Sequence, residues 1–203
     1  SETELKLLVD IVKSRPKVDT SYGGGYGSRD NTSLARKAAG MMIKPNGPRV
    51  AVFEVHDFDT HSAQGGVDGT HSDCLNEVDD IVRALKRYLG KDFDNTLIVT
   101  LTEFGRMIKQ NSGLGTEHGY GSAVLMAGGL LKKSQVYTDW PGLNKKELFE
   151  KRDLNSTIDA RSIYASAMST VFDLDFKLVK DKVFWGENLQ NLSDKLFKTS
   201  WFK

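Results

Sequence analysis

Cysteine and proline are scarce in this chain of 203 residues, which contains one cysteine, Cys74, and four prolines. A single cysteine excludes an intramolecular disulfide and any zinc site built from several thiolates. The net charge is only +1 at pH 7. No apolar run approaches the roughly 18 residues that a membrane-spanning helix requires. We therefore expect no nucleic acid as a partner and no membrane span.

What the sequence does contain is enough apolar material for a core. Hydrophobic residues make up 39% of the chain and charged residues 27%. These proportions are ordinary for a globular protein, and the length is typical of one domain. We therefore predict a single domain over residues 1–203.

Apolar runs alternate with helical patterns along the middle of the chain. Runs at 49–55, 96–102 and 122–127 predict buried strands. Helices are predicted over three segments: 34–45, 75–89 and 158–172. Alternation of strands and helices is typical of a mostly parallel sheet flanked by helices. The predicted fold class is therefore α/β.

Acidic and histidine side chains follow the first predicted strand. Asp57, Asp59 and His61 occupy alternate positions, so in an extended chain they point to the same side. Carboxylate oxygens with imidazole nitrogens are a ligand set for zinc, manganese or iron. The alternative is a polar strand edge whose charges are merely solvated.

Two further segments carry candidate site residues. Glu103 and Arg106 follow the second predicted strand, at the kind of sheet edge where α/β proteins place ligands. They form either a metal ligand beside an anion-holding guanidinium or a structural ion pair. His118 lies among glycines, which allow the backbone to approach a ligand closely. It is either a third ligand or a solvent-facing loop residue.

Several motifs together resemble a bacterial family, the domain of unknown function 1501, which is grouped with the alkaline phosphatase and sulfatase superfamily. The motifs are Phe58-Asp59-Thr60-His61, Thr102-Glu103-Phe104-Gly105-Arg106, Gly115-Thr116-Glu117-His118-Gly119 and Asp159-Ala160-Arg161-Ser162-Ile163-Tyr164-Ala165. The resemblance covers roughly residues 34–187. It leaves residues 1–33 as a helix with a glycine-rich loop, and residues 188–203 as a C-terminal tail.

The resemblance implies an alkaline-phosphatase-like α/β sheet with divalent metal ions at its carboxyl edge. The metal would be zinc, with manganese or calcium as alternatives. On this chain the implied ligands are Asp59 or Asp57, His61, Glu103 and His118, and Arg106 would orient a bound anion. The implied activity is hydrolysis of a small anionic phosphate or sulfate ester. The alternative is a noncatalytic exported binding or scaffold domain that keeps the fold.

Family members are longer than this chain, and their N-terminal half carries a further acidic ligand. In the superfamily enzymes that half also supplies the nucleophile. The resemblance therefore implies that this chain is the C-terminal half of an exported, periplasmic protein. As such it would need the missing half or a partner subunit and would be inactive alone. Glu117 stands where the family usually has aspartate.

Overall fold

The structure is a computed structural model, which describes residues 31–198. Five α-helices occur in this range: α1 Asn31–Met42, α2 Thr70–Leu89, α3 Ala160–Phe172, α4 Phe176–Val183 and α5 Ser193–Leu196. A 3-10 helix, Gly90–Asn95, follows α2 directly. Four short strands are present: β1 Ile98–Val99, β2 Gly105–Arg106, β3 His118–Gly119 and β4 Met126–Ala127. The predicted N-terminal helix and its glycine-rich loop lie outside the described residues, apart from positions 31–33.

The three helices predicted within the described residues, α1, α2 and α3, are confirmed. α2 ends before Gly90, whose φ of 57° is readily adopted by a residue without a Cβ atom. α3 begins after Asp159, whose carboxylate accepts a hydrogen bond from the Arg161 backbone N–H at 2.9 Å. Asp159 is therefore the N-cap of the helix rather than a residue of its first turn.

The predicted parallel, alkaline-phosphatase-like sheet is wrong. β1 pairs with β4 and β2 pairs with β3, and both pairs are antiparallel. Segment 49–55 lies outside every strand in the described part of the chain, and Val52 is 88% exposed. An apolar run becomes a strand only where a neighbouring segment pairs with its backbone groups. The described residues accordingly form helices and two short antiparallel strand pairs, of which β2–β3 is a hairpin.

Apolar burial is concentrated around the helices. α1 packs on α2 through one cluster of buried side chains: Ala35, Ala39, Ile81, Ala84, Leu85 and Leu89. A second cluster joins α3 to α5 and receives side chains from β1 and β4: Ile163, Ala167, Leu192, Leu196 and Phe197. The last of these residues fall in the predicted C-terminal tail, which is therefore part of the core. None of the helices between residues 31 and 198 is long and apolar enough to span a bilayer.

Candidate metal centre

Two loops meet at the candidate site, residues 59–64 and the β2–β3 hairpin. The Thr116 backbone N–H donates to the Thr60 carbonyl at 3.1 Å. Gly115 makes this approach possible, because a Cβ atom there would lie 2.3 Å from the carbonyl carbon of His61. The loop after the first predicted strand is thereby held directly against the segment that carries His118.

Three potential ligand atoms converge where these loops meet. His61 Nε2 lies 3.1 Å from Asp59 Oδ1, and His118 Nε2 lies 3.0 Å from the same oxygen. The two Nε2 atoms are 3.2 Å apart. Ligand atoms around a tetrahedral zinc ion lie about 3.3 Å apart, which follows from metal–ligand distances of about 2.0 Å. The separations therefore suit a small divalent cation bound by two imidazoles and one carboxylate.

Without a cation or a proton between them, the three atoms of this triangle would bring their lone pairs into unfavourable contact. An ionised carboxylate only accepts hydrogen bonds, and an unprotonated imidazole nitrogen also presents a lone pair. At least one proton or one metal ion must therefore lie among Asp59 Oδ1 and the Nε2 atoms of His61 and His118. A proton on either Nε2 atom can be donated to Asp59 Oδ1, which lies 3.0 Å from His118 Nε2 and 3.1 Å from His61 Nε2.

Arg106 holds Asp59 from the side of the hairpin. Its Nη1 donates to Asp59 Oδ1, its Nη2 donates to the Thr116 carbonyl, and its Nε donates to Thr116 Oγ1 at 3.0 Å. The Arg106 side chain is only 16% exposed. All three guanidinium nitrogens thus donate to groups of the protein itself. This arrangement uses three of the five guanidinium N–H groups to hold Asp59 and Thr116 in place.

The half-buried side-chain amide of Gln64 joins the two loops. Gln64 Oε1 accepts hydrogen bonds from Thr60 Oγ1 and Thr116 Oγ1, both at 2.8 Å. Both threonines are buried. Because buried hydroxyl groups are costly without partners, this network stabilises the loop contact.

Glu117 contacts the His61 ring at Nδ1, and Asn111 contacts Glu117 and the His61 backbone carbonyl. Glu117 Oε2 lies 2.8 Å from His61 Nδ1, and Glu117 Oε1 accepts from Asn111 Nδ2 at 2.6 Å. Sequence reasoning noted Glu117 only as a departure from the family pattern. Asn111 carried no motif that would have singled it out.

His118 is held differently, by an aromatic ring. The ring of Phe104 stacks on it with centroids 3.8 Å apart and planes inclined by 15°. Such stacking orients the imidazole while it leaves the ring nitrogens accessible. Phe104 therefore has a structural part in the site, which its position in the second motif did not indicate.

The surrounding groups favour the ionised carboxylates. Desolvation raises the pKa of Asp59, but hydrogen bonds with His118 and Arg106 and the charges of both histidines outweigh it, so the pKa falls below its ordinary value. The hydrogen bond from Asn111, followed by that of His61, lowers the pKa of Glu117. Both groups are therefore negatively charged at neutral pH, as binding of a cation requires.

The other two predicted ligands lie outside the convergent group. Asp57 has a φ of 68°, which breaks the strand-like alternation that would have aligned it with Asp59. Burial raises the pKa of the Cys74 thiol in α2, and the charge of Asp57 raises it further. Glu103 is an exposed residue before β2 and contributes no atom to the triangle. Whether the three converging residues bind a metal stays a prediction.

Two histidines and one carboxylate thus define a candidate divalent-metal centre on the β2–β3 hairpin and the loop that contacts it. The sequence model of a family described as protein of unknown function, DUF1501, matches residues 1–184. The chain therefore belongs to this family, as its motifs predicted. Neither curated proteins nor solved structures gave a match. The family description assigns no activity, so the function has to be argued from the site.

Proposed function

We propose that Asp59, His61 and His118 bind a divalent metal ion that serves the hydrolysis of a phosphate or sulfate ester. The observation that carries the proposal is the triangle of ligand atoms, whose sides measure 3.0–3.2 Å. Two imidazoles favour zinc, or manganese, over calcium, which takes mainly oxygen ligands. Three protein ligands also leave a coordination position open, as in catalytic zinc sites.

A bound divalent ion would supply Lewis acidity toward an ester oxygen and would neutralise developing negative charge. The chain itself supplies the ligands and their orientation. Arg106 fixes the carboxylate of Asp59, and the ring of Phe104 fixes His118. The substrate class rests on the resemblance to the alkaline phosphatase superfamily, and so does the exported, periplasmic location.

The exposure of the ligands supports the idea that the site is completed by further residues. The side chains of Asp59, His61 and His118 are 45–50% exposed. Active sites usually lie in concave pockets that bury most of a ligand. We infer that the remaining wall comes from the N-terminal half of a longer parent protein or from a partner subunit, and that the present chain alone is inactive.

The engagement of Arg106 favours a second candidate function, a noncatalytic binding or scaffold domain. Its guanidinium donates to Asp59 and Thr116, so three of its five N–H groups are used within the protein rather than offered to a substrate anion. In this case the metal would only join the 59–64 loop to the β2–β3 hairpin. Structural metal sites stabilise small loop-rich regions in this way.

Turnover of aryl phosphate and aryl sulfate by the longer parent protein, with zinc or manganese added, separates the two functions. The enzyme proposal predicts turnover that requires metal and is lost in His61→Ala and His118→Ala. His56→Ala is the matched control, because His56 lies three residues before Asp59 and contributes no atom to the triangle. Stoichiometric metal binding without turnover of either ester would replace the enzyme proposal by the scaffold function.

A further inference from the structure

We propose that Gln64 is a positioning residue for the metal site. Its side-chain carbonyl oxygen holds the 59–64 loop against the β2–β3 hairpin and, through Thr116 and Arg106, sets the place of Asp59 in the triangle of ligand atoms. The consequence for metal affinity rests on the proposed metal function, whereas the effect on the loop contact does not.

One oxygen atom, Gln64 Oε1, ties together the segments that carry the three ligands. The hydroxyl groups of Thr60 and Thr116 both donate to it at 2.8 Å. Thr60 lies between the two ligands of the 59–64 loop, and Thr116 lies two residues before His118. The two threonines are only 5% and 9% exposed, so water does not readily replace the amide as their acceptor. The separation of the ligand-bearing segments therefore depends on this oxygen.

A continuous chain of hydrogen bonds connects Gln64 to the Asp59 ligand. A guanidinium only donates hydrogen bonds, so Thr116 Oγ1 accepts from Arg106 Nε at 3.0 Å and keeps its own proton for Gln64 Oε1. The same guanidinium donates through Nη1 to Asp59 Oδ1, the oxygen that faces both histidines. Successive hydrogen bonds of this kind polarise one another, which strengthens the chain. The acceptor at Gln64 thus orients Thr116 and, through it, the arginine that holds the carboxylate ligand.

The backbone of Gln64 is itself fixed on both sides. Its N–H group donates to the Leu114 carbonyl in the hairpin at 3.0 Å, and its carbonyl accepts from the His71 N–H group at 3.2 Å. His71 lies in the first turn of α2, the helix that packs on α1 in the core. The scaffold therefore places the acceptor before any ion binds. Site residues that are held in this way are preorganised for their ligand.

Two substitutions at position 64 separate the hydrogen-bond acceptor from the bulk of the side chain. Gln64→Met has a similar length but removes the acceptor, so both threonine hydroxyl groups lose their partner. Zinc affinity, measured by competition with a chelator, should fall about 10-fold, the lower end of the usual effect of removing a group that orients a metal ligand. Gln64→Glu keeps an oxygen at the same position and adds a negative charge, so it should bind zinc at least as tightly as the wild type.

Hydrogen exchange of the Thr116 amide provides a second readout, which needs no metal. This N–H group donates to the Thr60 carbonyl across the loop contact, at 3.1 Å. In metal-free protein it should exchange faster in Gln64→Met than in the wild type, because the contact opens more often. Gln110→Met is the matched control, since Gln110 is an exposed residue of the same hairpin outside this chain of hydrogen bonds. It should leave both the exchange rate and the zinc affinity unchanged.

Wild-type zinc affinity in folded Gln64→Met would overturn the positioning role, even if the Thr116 amide exchanged faster. Weaker zinc binding by Gln64→Glu than by the wild type would also overturn it, because the acceptor would then not be the property that matters. If the wild type binds no zinc, the proposed metal function fails, and the exchange rate of Thr116 still decides whether Gln64 locks the two loops together. Should Gln64→Met not fold, Thr60→Val removes one of the two donors with little change in shape, and the same two readouts decide the question.

Discussion

Replacement of Arg106 by alanine should destabilise the protein markedly, because its guanidinium joins the hairpin to the 59–64 loop. Two of its hydrogen bonds go to the buried Thr116, one to the hydroxyl at 3.0 Å and one to the carbonyl. Hydrogen bonds from a charged donor contribute about 1.5 kcal/mol or more each, so the two together give roughly 3 kcal/mol. The contact with the half-exposed Asp59 adds little, since water screens it.

Urea denaturation followed by circular dichroism measures this loss in the free energy of unfolding. Arg106→Lys should recover only part of the stability, because an ammonium group cannot reach both Thr116 oxygens in the fork geometry of a guanidinium. Arg83→Ala is the control; Arg83 pairs with Asp79 on the exposed face of α2, and its loss should change stability by less than about 0.5 kcal/mol. A change below about 1 kcal/mol in Arg106→Ala would refute the structural role. Loss of ester turnover without destabilisation would instead support the anion-holding role predicted from the sequence.

Two further predictions concern the core between α3 and α5 and the pH dependence of the N-cap of α3. Leu192 is 1% exposed in the cluster between α3 and α5, so Leu192→Ala should lower the free energy of unfolding by about 3 kcal/mol in urea titrations. Val136→Ala, at an 89% exposed position, should change it by less than about 0.5 kcal/mol. The hydrogen bond from the Arg161 side chain is the main cause that lowers the pKa of Asp159, the N-cap of α3. A lowered pKa in the folded state means that the stabilisation is present above the unfolded pKa of about 3.9 and is lost as the pH falls through the folded value. Asp159→Ala should therefore cost about 1 kcal/mol at pH 7 and progressively less below pH of about 4, whereas Asp159→Asn should retain most of the cap. A cost of Asp159→Ala that does not depend on pH would contradict the ionic part of this account.

The helices were predictable because their signals are local. Apolar positions repeat along α2 from Val78 to Leu89, and Gly90 supplies the stop at the expected place. In α3 the cap and the buried face lie within one short segment. Such signals do not depend on distant parts of the chain, and the three predicted helices are accordingly present.

The sheet was not predictable because strand pairing depends on distant residues. The run at 96–102 is rich in apolar and β-branched residues, yet only Ile98 and Val99 pair with another strand, and Leu101 is 73% exposed. Val52 illustrates the same point in the first predicted strand. Apolar composition indicates that a segment prefers an extended conformation, but not which neighbour it pairs with or in which direction.

The candidate site was predictable only in part. Asp59, His61 and His118 were selected by residue type and motif, and the fold brings their ligand atoms together. Asp57 was included because strand-like alternation was assumed, and its positive φ breaks that alternation. The hydrogen bonds from Arg106 to Thr116 depend on the geometry of the β2–β3 hairpin, which cannot be read from the sequence. Motifs can therefore nominate ligands, whereas the groups that orient them emerge only from the structure.

The metal content of the chain, purified without chelating tags, tests the central claim most directly. Elemental mass spectrometry after zinc loading and desalting should find about one zinc ion per chain, as three protein ligands with an open position predict. The metal should disappear in the His61→Ala/His118→Ala double variant and persist in His56→Ala. Wild-type protein that is folded yet retains no zinc or manganese, or a double variant that retains as much metal as the wild type, would contradict the assignment of Asp59, His61 and His118 as a metal site.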